Sequence, residues 1–118
     1  MKIIYEQDLI PNEYKRKKDF ETFYFECKAI HGKKVEEGDV LFTGIACDNN
    51  CSKIDFDIYA DRKGYFCQKS SLHGGIKKEK YSCVVAVIYD SMEEWCKNEY
   101  SFKYSKYNDS IKKTRIIH

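Results

Sequence analysis

One proline and six glycines in 118 residues rule out a collagen-like or low-complexity chain. No apolar run approaches the ~20 residues that cross a bilayer. The start, Met1-Lys2-Ile3-Ile4-Tyr5-Glu6-Gln7-Asp8, is broken by acidic residues and has no apolar centre of a secretory signal. A cytoplasmic location, with no membrane partner, is the default expectation. A net charge of only +2 gives the whole molecule little long-range pull on nucleic acid. Six cysteines, at 27, 47, 51, 67, 83 and 96, contain no Cys-x-x-Cys redox pair. Gly74-Gly75 lacks the Lys-Ser/Thr that completes a phosphate-cradling loop.

What the chain does have is aromatic and apolar side chains, 15% and 42% of the residues, enough for one domain with a modest core. It also echoes itself. Tyr24-Phe25 returns as Tyr65-Phe66, an offset of 41, and Val35 returns as Ile76 at the same offset. His31-Gly32 and His73-Gly74 lie between, one residue out of step. Each half ends in an apolar run, Val40-Leu41-Phe42 and Cys83-Val84-Val85-Ala86-Val87-Ile88. Such an echo predicts two similar strand units related by a two-fold over residues 22–90, with turns at Gly38-Asp39 and near Lys80.

Along the chain, Ile3-Ile4-Tyr5 suits a short edge strand. The cationic run Lys15-Arg16-Lys17-Lys18 reads as a solvated face or loop. Residues 21–30 and Val40 to Cys47 are strand-like, with Asp48-Asn49-Asn50 as the hairpin tip. In Ile54 to Ala60, Ile54, Phe56, Ile58 and Ala60 face one way and Asp55, Asp57 and Tyr59 the other, which predicts one buried and one wet face. Tyr81 to Tyr89 is an apolar central strand. Ser91-Met92-Glu93-Glu94 has the capping-box pattern and predicts a short helix to about Tyr100. Six Lys or Arg against two acids make residues 97–118 basic.

Two segments resemble a known family. Val35-Glu36-Glu37-Gly38-Asp39-Val40-Leu41 is similar to the V-x-x-G-D-x-L segment of biotinyl and lipoyl carrier domains. Lys53 to Tyr65 is similar to the stretch from their modified lysine to the S-P-x-x-G turn, and the interval Lys53–Gly64 fits. The resemblance covers about residues 22–90. It implies a mostly-β barrel-sandwich hybrid: two small antiparallel sheets related by a pseudo-two-fold. The organisation expected is an N-terminal extension over 1–20, a biotinyl/lipoyl-like domain over 21–90, and a helix with a basic tail over 91–118. Lys53 falls at the family's position for attached lipoate or biotin. Its neighbours Ser52 and Ile54 differ from the family's acidic, small or methionine ones, and Asp61 stands where the turn's proline would be. The expected role is therefore non-enzymatic protein binding or assembly, without a cofactor. A swinging-arm carrier at Lys53 is the alternative.

A third reading places a zinc or thiol site at Cys47 and Cys51, whose spacing zinc can use if His31, His73, Cys67 or Cys27 supply two more ligands. Cys67 and Cys83 sit in apolar patterns and are expected to be reduced and buried. Asp55 and Asp57 could do acid–base work, but solvated residues of a half-buried strand are the simpler account. Tyr100, Phe102, Lys103, Tyr104, Lys106 and Tyr107 alternate rings and cations as base-stacking segments do, and as ordinary edge strands do. A protein partner is the expectation; nucleic acid is not.

Overall fold

A computed structural model describes residues 1–72, 74–78 and 83–99. The protein is mostly β, with two four-stranded antiparallel sheets and one short helix near the C-terminus. The strands are β1 (Lys2–Tyr5), β2 (Phe20–Cys27), β3 (Lys34–Val35), β4 (Val40–Asp48), β5 (Lys53–Tyr59), β6 (Gly64–Gln68), β7 (Ile76–Lys77) and β8 (Val84–Tyr89). A 3-10 turn, Glu6–Leu9, and helix α1, Asn12–Lys15, join β1 to β2. Helix α2 covers residues 92–99. Among the described residues no helix is long and apolar enough to cross a membrane.

One sheet runs β1-β8-β6-β3 and the other β5-β4-β2-β7. Exchanging β5 for β1, β4 for β8, β2 for β6 and β7 for β3 turns the second order into the first. The correspondence extends to register. Val35 pairs with Gly64 across β3–β6, and Ile76 pairs with Phe23 across β7–β2. Adding 41 to the first residue and taking it from the second carries one pair into the other. In β4–β5 the register passes from Val40↔Tyr59 to Phe42↔Ile58, skipping Leu41. In β8–β1 it passes from Val84↔Tyr5 to Ala86↔Ile4, skipping Val85.

The two skipped residues do the same job. The Leu41 carbonyl accepts the N–H groups of Lys28 (2.8 Å) and Ala29 (3.1 Å). The Val85 carbonyl accepts those of Lys69 (2.8 Å) and Ser70 (3.4 Å). A skipped residue leaves its backbone outside the ladder, and a buried carbonyl must find donors elsewhere. Here the outgoing ends of β2 and β6 supply them. Leu41 and Val85 are themselves buried.

The inner faces hold the core: Phe23, Phe25, Phe42, Phe66, Val85, Ile88 and Ile4 are buried in one cluster. Phe42 and Phe66, one from each sheet, meet edge to face at 5.9 Å. Residues 1–20, expected as an extension, are part of this packing. β1 takes the place in its sheet that β5 takes in the other, and Leu9, Ile10, Tyr14 and Phe20 join the core cluster. Tyr14 lies 5.0 Å from Phe20 and 5.7 Å from Phe56, closing the apolar side of the edge strand β5.

The turn expected at Gly38-Asp39 is present. Gly38 adopts φ +92°, which glycine alone takes without strain, and the Asp39 carboxylate accepts the Glu36 N–H at 2.8 Å. The second expected turn, near Lys80, lies outside the described residues, as do His73, Tyr81, the end of the helix at Tyr100 and the basic tail. Two expectations need correction. Ile54 is 40% exposed, because β5 is an edge strand and has a neighbour on one side only. Cys83 is exposed, because β8 begins only at Val84.

Gly64 is set by close packing. A Cβ there would lie 2.5 Å from both the Tyr89 carbonyl oxygen and Ile88 Cγ2. Gly64→Ala is expected to cost about 1–3 kcal/mol through forced displacement of β8. The neighbouring exposed Lys63→Ala should stay within about 0.5 kcal/mol. Urea unfolding of the two variants against wild type checks this.

Candidate functional site

The β4–β5 hairpin carries the residue marked by sequence. Asp48 organises its tip: one carboxylate oxygen accepts the N–H groups of Asn50 (2.9 Å) and Ser52 (2.8 Å). Its backbone accepts from Cys51 and donates to Ser52, each at 3.1 Å. The turn therefore runs to Ser52, two residues beyond the expected Asp48-Asn49-Asn50. Cys51 sits in left-handed backbone space at φ +65°, costing about 1 kcal/mol for a residue with a Cβ. The Asp48 hydrogen bonds offset that strain.

Lys53 is the first residue of β5, exposed, and opposite Cys47 on β4. It stands at the foot of the turn and not at its apex. Thr22, Tyr24, Ile45, Cys47, Asp48, Cys51 and Lys53 line one depression of about 480 Å³ on the outer face of this sheet. Both thiols of the Cys47/Cys51 pair thus border a single hollow. Of their other expected zinc partners, His73 lies outside the described residues and the remaining three are elsewhere. Cys67 is in the opposite sheet, Cys27 donates its thiol to the Ala29 carbonyl at 3.4 Å, and the His31 Nδ1 accepts the Gln68 N–H at 3.0 Å. Among the described residues no three His, Cys, Asp or Glu side chains converge as metal ligands. Asp55 and Asp57 are exposed, as solvated strand residues are.

Sequence reasoning missed a polar cluster beneath α2. Ser91 caps this helix, its hydroxyl accepting the Glu94 N–H at 3.1 Å, while the Glu94 carboxylate accepts from Asp90. The helix packs Trp95 edge to face against Tyr89 (5.5 Å) and His31 (5.2 Å). Under it Cys67, Val87 and Tyr89 form a second buried cluster on the outer face of their sheet. Glu99 then receives three donors on one oxygen: the Lys69 ammonium, the Cys67 thiol at 3.3 Å and the Tyr89 hydroxyl at 3.3 Å. Hydrogen bonding to Lys69 holds the Glu99 carboxyl below its usual range. Burial, then the bond to Glu99, pushes the Cys67 thiol up to about 11. A thiol kept protonated is a poor nucleophile, so this cluster clamps a helix and does not activate a cysteine.

The row Cys67–Val87–Ile3, of which Cys67 and Val87 are buried, corresponds to Glu26–Thr43–Asp57 on the other sheet. The polar residues fall on the sheet that α2 does not cover. The only sequence signal for this difference is the capping pattern at Ser91. Compared with protein-family models, with curated proteins and with solved structures, the chain matches none.

Two predictions follow from these local networks. Asp48→Ala should lose about 1–3 kcal/mol, since it removes two turn hydrogen bonds of about 0.5–1.5 kcal/mol each, and should speed amide exchange at residues 50–52. The α2 clamp should loosen at both ends of the pH scale. Glu99 has a lowered pKa, so its contribution is present above the ordinary value of 4.5 and is lost as pH falls below it. Cys67 has a raised one, so its contribution is present below the ordinary 9.0 and is lost as pH climbs toward about 11. Trp95, the only tryptophan, reports undocking by a red shift in its emission. Glu99→Gln should remove the acid limb and make Cys67 label faster with thiol reagent at neutral pH.

Proposed function

We propose that this chain is a non-enzymatic module built on a divergent biotinyl/lipoyl-type barrel-sandwich scaffold, and that it binds another protein or packs in an assembly. The observation that carries the reading is the strand-by-strand correspondence of the two sheets, in order, register and skipped residue. That is the arrangement the family resemblance implies, and it draws also on residues outside the V-x-x-G-D-x-L match, among them Tyr5, Phe23, Gly64, Ile76 and Val85. Covering the β1-β8-β6-β3 sheet by α2 while the β5-β4-β2-β7 sheet stays open leaves one working face: the hairpin, its depression and the edge around it. No cofactor or metal is part of this reading.

The second reading, a prosthetic-group carrier, draws on the exposure of Lys53 beside the hairpin tip. Three features weigh against it: Lys53 stands opposite Cys47 within the ladder, Ile54 follows it, and the apex belongs to Asn49-Asn50-Cys51. A ligase needs a protruding ε-amine, whereas this lysine can lay its stem along Tyr24 and Ile45 and keep its charge in water.

Co-expression with a lipoyl or biotinyl ligase and intact-mass measurement separates the two. Unchanged mass is expected. A single adduct that disappears in Lys53→Ala would make the chain a carrier.

A further inference from the structure

The cationic run Lys15-Arg16-Lys17-Lys18 reads in sequence as a solvated loop; the fold brings a second lysine pair to it. Lys15, Lys18, Glu21, Lys77 and Lys78 line a single cleft of about 470 Å³ between the end of α1, the start of β2 and the edge strand β7. Its two walls are tied together. The Lys78 ammonium donates to the Lys17 carbonyl at 2.7 Å, and the Gln7 amide donates to the Lys77 carbonyl at 3.1 Å. The Lys17 ammonium lies 5.7 Å from the Tyr14 ring centre and 5.9 Å from that of Phe20. Lys78 lies 5.9 Å from that of Phe23. The cleft is thus a built surface, with lysines whose stems rest on the core.

Among the described residues these cations make no ion pair; the side-chain ion pairs engage Lys2, Lys28, Lys34, Arg62 and Lys69. Four lysines therefore share one concave wall, in which Glu21 is the one acid among the described residues. Concave, same-sign surfaces focus the field and raise the local concentration of opposite charge. The chemistry of the lining narrows the ligand. The rings beneath, Tyr14, Phe20 and Phe23, are buried and offer bases no stacking platform, which single-stranded nucleic acid needs.

We propose that this cleft docks an acidic, carboxylate-rich segment of a partner protein. The proposal rests on the protein-binding reading above and supplies the chemistry of the partner. Lys17 and Lys78 shape the wall, while Lys15, Lys18 and Lys77 meet the ligand.

The test uses the full chain and a fluorescent twelve-residue peptide alternating Glu and Gly, with anisotropy read over a salt series. Saturable binding that weakens with salt is expected, and it should fall at least tenfold in the triple variant Lys15→Glu/Lys18→Glu/Lys77→Glu. The control Lys33→Glu/Lys63→Glu, of exposed lysines elsewhere, should bind as wild type does. Circular dichroism confirms that each variant is folded. The idea is overturned if the peptide does not saturate, or if the control variant loses binding equally. It is also overturned if an oligothymidylate of equal charge, or vesicles of anionic lipid, bind more tightly and with the same lysine dependence. That last result would assign the cleft to phosphate. A Lys53 adduct in the mass experiment would overturn the module reading and leave peptide binding unchanged, so the two failures are distinguishable.

Discussion

Two small sheets must bury one face each against the other, and everything else in this protein adjusts to that. The phenylalanines at 23, 42 and 66 are wholly excluded from water. Each such side chain contributes about 1.5–3 kcal/mol by burial. A domain of this size has few of them and a large surface, so all its inner positions must be filled. That is why the first twenty residues are drawn in. Without β1 one sheet would lack its fourth strand, and without Tyr14 the edge at Phe56 would be open.

Skipping Leu41 and Val85 lets each sheet bend without breaking its hydrogen-bond accounting. A register skip turns strand direction and strands a backbone group. Both stranded carbonyls accept a pair of N–H groups from the chain leaving the central strand. The same solution appears twice, in segments with almost no identical residues. Geometry therefore constrains these positions more tightly than side-chain chemistry does. The requirement is an apolar residue that fills the core while its carbonyl turns outward.

Charge then divides the surface. Lysines near carboxylates, such as Lys28 and Lys34, form exposed pairs that contribute little to stability. Those around β7 form no ion pair among the described residues. Under α2 the opposite strategy operates: one carboxylate oxygen gathers an ammonium, a thiol and a phenol, and the helix is held by a small polar set in which Cys67 and Tyr89 are buried and Lys69 reaches the surface. Bonds partly shielded from water are worth more than fully exposed ones, because the shielded partners would lose solvation if left unmet.

Several features were legible in the sequence because they depend on neighbours along the chain. Strand alternation from Phe56 to Ala60, the Gly38-Asp39 turn and the Ser91 cap are all local patterns, set by pleat, φ preference and short-range hydrogen bonds. What the sequence could not decide were facts about distant partners. Whether β1 belongs to the domain, whether Cys83 is covered, which face α2 shields, and that Lys77 and Lys78 meet Lys15 and Lys18 all depend on which strand lies beside which. Strand adjacency is set by burial summed over the whole core, and no short window of residues records that sum. The sequence by itself determined the kinds of element and their wet and dry faces. Only the tertiary structure decided which faces stayed open and which charges came to share a cleft.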